Sequence, residues 1–326
     1  MHHLSVFRTH GRELSPNPPD VKSLVNRRTQ QPSSRVACAG RVLAVTLTPM
    51  PFVQSIESLD SPELAPYRTM RFQHEHRLQR IFVAEGEKVV RRLIESDLEV
   101  LSVVLPPKWL AALEPLLRGR PAGLRVYVAP KALLETLTGF SMYQGVLAVA
   151  RIPSGVSLDQ AWLRSPIPRL FVAVDGLTNA ENLGGLVRNC VAFGVQAILV
   201  GETSASPYLR RAVRGSMGTV FQLPVVETAC LAESLRHLRE RGVRCVAAHP
   251  HTDRRTLAEA RLASDCCVVF GSEGFGITPS VLDACDEAVA IPMPPAVDSL
   301  NVGSASAVFL YEASRQRRTG TKDVGK

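Results

Sequence analysis

No Cys-x-x-Cys pair occurs in this chain of 326 residues, although it carries seven cysteines. Cys266 and Cys267 sit side by side in an apolar run, and Cys190, Cys230 and Cys245 fall in segments patterned as helix or strand. An odd count without paired spacing argues against a disulfide framework and a zinc site, and it fits a reducing compartment. The expectation is a cytoplasmic protein without a bound metal. Equally absent is any apolar run near the ~18–20 residues that cross a bilayer. The stretch from Val36 to Leu47 is shorter and is broken by Cys38, Gly40 and Arg41. Neither a membrane span nor a good signal-peptide core is expected there. A G-x-G-x-x-G fingerprint is missing as well, which weighs against a dinucleotide-dependent oxidoreductase.

Charge is present but unevenly placed. The formal net charge is +8, and residues 1–50 carry five of those units through seven Lys/Arg against Glu13 and Asp20. Bulk charge in the remainder is therefore a weak argument for a polyanionic partner. Residues 1–49 are rich in Pro, Ser, Arg and Gln without a sustained period. They read as a disordered basic extension, or as a leader whose true start is Met50, with a basic RNA-binding arm as the rival. An apolar content of 45% and a charged content of 21% mark the chain as a globular protein. Residues 50–152 alternate strand and helix patterns: strands at Ile81–Gly86, Leu98–Leu105, Leu124–Val128 and Gln144–Ala150, and helices at Pro62–Arg71, Glu87–Glu95, Trp109–Leu117 and Lys131–Leu137. Residues 153–168, with three prolines and a lone helical turn around Ala161-Trp162, read as a linker. From residue 169 to 326 the alternation is stronger, and its strands are apolar on both faces, as a covered parallel sheet requires. Strands are expected at Leu170–Val174, Ala197–Val200, Val220–Pro224, Arg244–Ala248, Cys266–Phe270 and Glu287–Ile291, with a short helix near Leu257.

Three loops follow the carboxyl ends of expected strands, where open α/β sheets bind ligands. The first, Asp175 to Asn189, places Asn182 at a helix start and Arg188 six residues on. Asn182 could be a plain N-cap and Arg188 a solvated helix residue, but Gly184-Gly185 at a helix start costs roughly 1 kcal/mol each and suggests close approach by a backbone or a ligand. The second, Val268 to Ile277, reads G-x-x-G-x-G with Glu273 at its centre. A carboxylate there repels a pyrophosphate and suits a neutral or cationic ligand. In the third, Ile291 runs through Pro292, Pro294 and Pro295 to Asp298, Ser299, Leu300 and Asn301, before a small-residue helix from Gly303. Proline ends ladder pairing, and one N-cap would need only one of those polar residues, so this reads as a ligand loop. Arg210, Arg211 and Arg214 lie on about two helical turns, either a phosphate-contacting surface or a solvated face.

Taken in order, the three loops resemble the motifs of the SpoU (TrmH) family of RNA ribose 2′-O-methyltransferases, within the SPOUT superfamily. Asn182 and Arg188 match the first motif, Gly271-Ser272-Glu273-Gly274 the second, and Ile291-Pro292-Met293 with Ser299-Leu300-Asn301-Val302 the third. Residues 62–152 are similar to the ribosomal-protein-like RNA-binding domain that precedes the catalytic domain in many members. The resemblance implies an α/β fold: a parallel-sheet domain with a C-terminal trefoil knot, preceded by a small α/β RNA-binding domain. It implies S-adenosylmethionine as cofactor, held through Gly271, Ile291, Met293 and Leu300, and rRNA or tRNA as substrate. It further implies a homodimer, with Arg188 acting on the ribose 2′-hydroxyl as base or positioning group and Asn182, Glu273, Ser299 and Asn301 orienting the centre. A non-catalytic RNA-binding or ribosome-assembly factor retaining the fold is the alternative. This chain departs from the family pattern at Gly303-Ser304-Ala305, where Ser-Val-Ala is common, and at Asn179-Ala180-Glu181, where Asp-Pro leads.

Overall fold

A computed structural model describes residues 51–121, 123–138, 145–252 and 255–320. The expected basic extension lies outside the described residues, as does Gln144. The first module runs β1 (Phe52–Ser55), a 3-10 turn (Pro62–Leu64), α1 (Ala65–Arg68), α2 (Gln73–Leu78), β2 (Ile81–Glu85), α3 (Glu87–Glu95), β3 (Val100–Leu105), α4 (Pro107–Arg118), β4 (Arg125–Val128), α5 (Lys131–Thr138) and β5 (Leu147–Arg151). Its sheet has the order β1-β4-β3-β5-β2, parallel at β1–β4 and β3–β4 and antiparallel where β5 meets β3 and β2. All five residues of β2 are buried, because each face of this sheet carries its own apolar layer. On α3 the buried Val89, Val90, Leu93 and Ile94 recur at helical spacing and seal one of those faces.

The connection 153–168 is not bare chain. It holds α6 (Leu158–Arg164), opened by a capping box in which the Ser157 hydroxyl accepts the Gln160 N–H and the Gln160 side chain accepts the Ser157 N–H. Trp162 on this helix lies between two guanidinium groups, Arg169 at 4.4 Å and Arg241 at 5.1 Å from its ring centre, which pins the helix to the second module.

The second module runs β6 (Leu170–Val174), α7 (Ala180–Ala192), β7 (Ala197–Val200), α8 (Arg210–Gly215), a 3-10 turn (Thr219–Gln222), β8 (Val225–Glu227), α9 (Leu231–Glu240), β9 (Arg244–Ala248), β10 (Cys266–Phe270), α10 (Pro279–Asp283), β11 (Glu287–Val289) and α11 (Val302–Gly320). Six parallel strands stand in the order β11-β9-β10-β6-β7-β8. Every residue of β6, β7 and β10 is buried, since α7 and α11 cover one face and α9 and α10 the other. Two expectations are corrected. The strand expected at Val220–Pro224 is a 3-10 turn followed by β8, because Gly218 turns left-handed at φ 78° and starts a new turn. No helix forms near Leu257; the chain there pairs through a single bridge from Thr256 to Ala290 and then turns. No helix among the described residues is long and apolar enough to cross a membrane.

The two modules meet through α8. Glu85 at the end of β2 is buried, and its carboxylate accepts from Arg214 Nη1 at 3.0 Å and from Arg210 Nη1. Arg92 Nη1 donates to the Met217 carbonyl at 2.7 Å, and the Phe82 ring lies 5.5 Å from Tyr208 and 5.7 Å from Phe221. Two of the three arginines on α8 therefore belong to a contact between modules: Arg210 is largely covered, Arg214 stays partly exposed, and Arg211 is solvated without a share in that contact.

Candidate functional site

A pocket of about 360 Å³ opens at the carboxyl end of the second sheet, a volume within the range that small ligands and cofactors occupy. Strand order explains its walls. β10 neighbours β6, and β11 stands one strand further out, so the loops after β6, β10 and β11 converge at one end of the sheet. Gly271, Glu273, Ile291, Met293, Ser299 and Leu300 line the pocket. Between β10 and β11 runs β9, so a fourth loop contributes as well: His249 and His251, stacked edge to face at 6.0 Å. This loop is not among the three expected from the sequence, although His249-Pro250-His251 follows a clear strand and obeys the same rule as the others.

One side chain joins three of the loops. Asn301 Nδ2 donates to Asn182 Oδ1 at 3.1 Å and to Glu273 Oε1 at 2.9 Å. Its own Oδ1 accepts the Gly303 N–H at 2.9 Å, a bond that any residue but proline could make, so α11 begins on the amide that organises the site despite the departure at Gly303. Asn182 is not an N-cap. That position belongs to Asn179, whose side chain accepts from Glu181 N–H at 2.9 Å and Asn182 N–H at 3.2 Å. An asparagine caps as well as an aspartate, so the departure at Asn179 preserves the helix start and leaves the Asn182 amide free for Asn301.

Backbone crowding fixes the walls. A Cβ on Gly271 would lie 2.2 Å from the Gly276 carbonyl carbon. That space is taken by a tight turn closed in both directions, Ser272 N–H to Gly276 O at 2.9 Å and Gly276 N–H to Ser272 O at 3.0 Å. The buried carboxylate of Asp175 accepts the Thr278 N–H at 2.7 Å and ties the second loop to β6. A Cβ on Gly184 would lie 2.5 Å from the Ala212 carbonyl oxygen, so α7 and α8 touch backbone to backbone; Gly185 faces open space. Asn189 Nδ2 donates to Gly303 O at 2.7 Å and Ser306 Oγ at 2.9 Å, locking α7 to the first turn of α11.

Arg188 stands apart. It is exposed on α7 and makes no hydrogen bond or ion pair among the described residues. Six residues from Asn182, it projects from a different side of the helix, and the structure does not bring it to the Asn301 cluster. Ser299 lines the pocket but likewise makes no side-chain hydrogen bond among the described residues. Of the remaining sequence-derived residues, Gly271, Glu273, Ile291, Met293 and Leu300 line this one pocket, and Asn301 and Asn182 adjoin it through the bonds that run to Glu273.

The sequence model described as the SpoU rRNA Methylase family matches residues 169–311. An uncharacterized tRNA/rRNA methyltransferase of Mycobacterium bovis is 34% identical over 238 residues, covering 72% of this chain and 81% of that protein. A 23S rRNA (guanosine-2′-O-)-methyltransferase of Shewanella oneidensis is 33% identical over 211 residues, covering 64% of this chain and 85% of that protein. Among solved structures, an RNA 2′-O ribose methyltransferase superposes with a TM-score of 0.65 at 28% identity, covering 81% of this chain and all of that one. An rRNA methyltransferase of Sinorhizobium meliloti shares the fold, with a TM-score of 0.70 at 23% identity over 81% of this chain and 98% of that one. The fold and the converging loops are those of an RNA methyltransferase. The chain belongs to the SpoU family. The match to the Mycobacterium protein is longer than the whole stretch from residue 169 to the C-terminus, so it takes in part of the first module.

Proposed function

We propose that this protein transfers a methyl group from S-adenosylmethionine to a ribose 2′-hydroxyl of RNA, with ribosomal RNA as the substrate class that its relatives support. The observation that carries the reading is the Asn301 amide, which joins Asn182 and Glu273 across three loops at the rim of the pocket. The pocket fits the cofactor on its own geometry. Ile291, Met293 and Leu300 make no backbone–backbone hydrogen bonds among the described residues, so their peptide groups are available to an adenine edge. Gly271 lets a second backbone segment close to the same wall. Prolines 292, 294 and 295 hold these groups in place before any ligand arrives. When bound, S-adenosylmethionine supplies an electrophilic methyl group on a cationic sulfonium.

The chain's own residues do the rest by alignment. Glu273 places negative charge beside the pocket, complementary to a sulfonium, and Asn301 fixes its orientation. Asn182 and Ser299 complete the polar rim that faces the incoming ribose. Arg188 lies apart from the pocket of its own chain, so its role of holding the hydroxyl and the adjoining phosphate, suited to a guanidinium as a permanent donor and poor proton acceptor, falls to it at the pocket of the partner in the homodimer. The hydroxyl proton leaves to solvent at the open rim. In this reading the segment Ile291 to Asn301 belongs to a trefoil knot, the first module binds RNA, and the protein works in the cytoplasm as a homodimer. The exposed Val308 and Tyr311 of α11, packed beside α7, support such an interface.

The test uses tritiated S-adenosylmethionine and total RNA from cells lacking this protein. Asn301→Ala is expected to lower methyl transfer about 10²-fold, the scale of a misaligned centre, while the circular dichroism of the fold is unchanged. Wild-type protein that binds no S-adenosylmethionine in calorimetry overturns the reading.

A further inference from the structure

The second loop carries a residue that the methyl-transfer reading does not use. Phe275 is 97% exposed, the most open of the large apolar side chains among the described residues. It is not on a frayed segment. Its N–H donates to Ser272 Oγ at 3.0 Å, and the turn that carries it is closed by the paired Ser272–Gly276 backbone bonds. Glu273, two residues earlier on that turn, is held by Asn301, and Phe275 itself forms part of the pocket rim. The backbone beneath the ring is thus fixed while the ring itself stands unpacked in solvent, beside the group that orients the reacting centre.

An isolated aromatic ring held in water at the edge of a polar site has the form of a stacking platform. Single-stranded and looped RNA is recognised by stacking unpaired bases on such rings, which tolerate any base because every base has a π-face. A protein surface would instead need a contiguous apolar patch around the ring, and the residues of this turn next to it are Ser272, Glu273, Gly274 and Gly276. We propose that Phe275 stacks on an unpaired nucleobase of the RNA substrate, at or next to the nucleotide whose ribose is methylated. The inference rests on the RNA methyltransferase reading and adds to it a substrate requirement: the target lies in a loop, bulge or single-stranded stretch and not within a continuous duplex.

The experiment compares wild type, Phe275→Ala and Phe275→Trp in full-length protein, with total RNA from cells lacking this protein and tritiated S-adenosylmethionine. Phe275→Ala is expected to raise KM for RNA about tenfold, the factor that stacking of one base contributes, with kcat changed little. Phe275→Trp restores the wild-type KM. Cofactor affinity by calorimetry and the sedimentation coefficient stay the same in all three. Wild-type KM in Phe275→Ala, or a loss that Phe275→Trp does not rescue, overturns the proposal alone. So does a Phe275→Ala protein whose sedimentation shows loss of an oligomer, because the ring then packs on a second copy of the chain. Wild-type protein that transfers no methyl group to this RNA overturns the methyltransferase reading and the proposal with it.

Discussion

At Asn179 and Asn182 two identical side chains three residues apart do different work. Asn179 closes the first turn of α7 by accepting two backbone N–H groups, whereas Asn182 points its amide oxygen at Asn301. Asn179→Ala is expected to cost about 1 kcal/mol of stability, the usual loss of a cap, measured by urea unfolding. Asn182→Ala is expected to leave stability within about 0.5 kcal/mol, as for a surface substitution, and to reduce methyl transfer instead. Spacing alone could not separate the two, because either asparagine can begin a helix. The residues at the pocket were legible for a different reason: glycines, prolines and polar groups clustered after strands where no packing need called for them. The bonds among them were not legible, since Asn182 and Asn301 are 119 residues apart and meet only because the strand order brings the first and third loops to one end of the sheet.

Elements buried on both faces were the easiest to read. β6, β7 and β10 are continuous apolar runs flanked by turn signals, and the structure places them where the pattern does. β1 gave no such signal: all four of its residues are exposed and it pairs only at the edge of its sheet. Of α6 only a turn around Ala161-Trp162 was legible among the prolines, although Ser157-x-x-Gln160 is a capping box in plain sequence. The Gly184-Gly185 pair was legible as a close approach, but only one of its two members makes one. Gly184→Ala drives a methyl group into the Ala212 carbonyl, 2.5 Å away, and into the backbone of Gly215 and Ser216, each 3.0 Å away. Overpacking of this kind is expected to destabilise by about 2–3 kcal/mol, outweighing the roughly 1 kcal/mol that alanine offers a helix. Gly185→Ala meets nothing within 4 Å and is expected to stabilise the helix by up to about 1 kcal/mol. Thermal denaturation of the pair checks both signs.

For the molecule as a unit, the decisive contact is Glu85 with Arg210 and Arg214. It sits beside a hydrophobic cluster that runs without a break from Phe82 and Val103 of the first module to Val213 and Val220 of the second. A shared core predicts one cooperative transition in calorimetry instead of two. Glu85→Gln leaves two guanidinium groups without their carboxylate; with Arg214 partly exposed, the expected cost is about 2 kcal/mol, below the 3–5 kcal/mol of a fully buried pair. Two resolved transitions in the wild type would contradict the shared core. Composition divides the chain at residues 153–168, and nothing in composition shows whether two modules touch.

The order of strands in the second sheet also sets a timetable. β9, at residues 244–248, lies between β11 and β10, and both of those neighbours come later in the chain. While the protein is being synthesised, β6, β7 and β8 can assemble as they emerge, but β9 has no edge to join until residues 266–270 have left the ribosome. The Asn301 amide follows later still. Cofactor binding is therefore the last property the nascent chain acquires, and a chain released early, with half its sheet assembled, would hold an unfilled strand edge exposed to other chains.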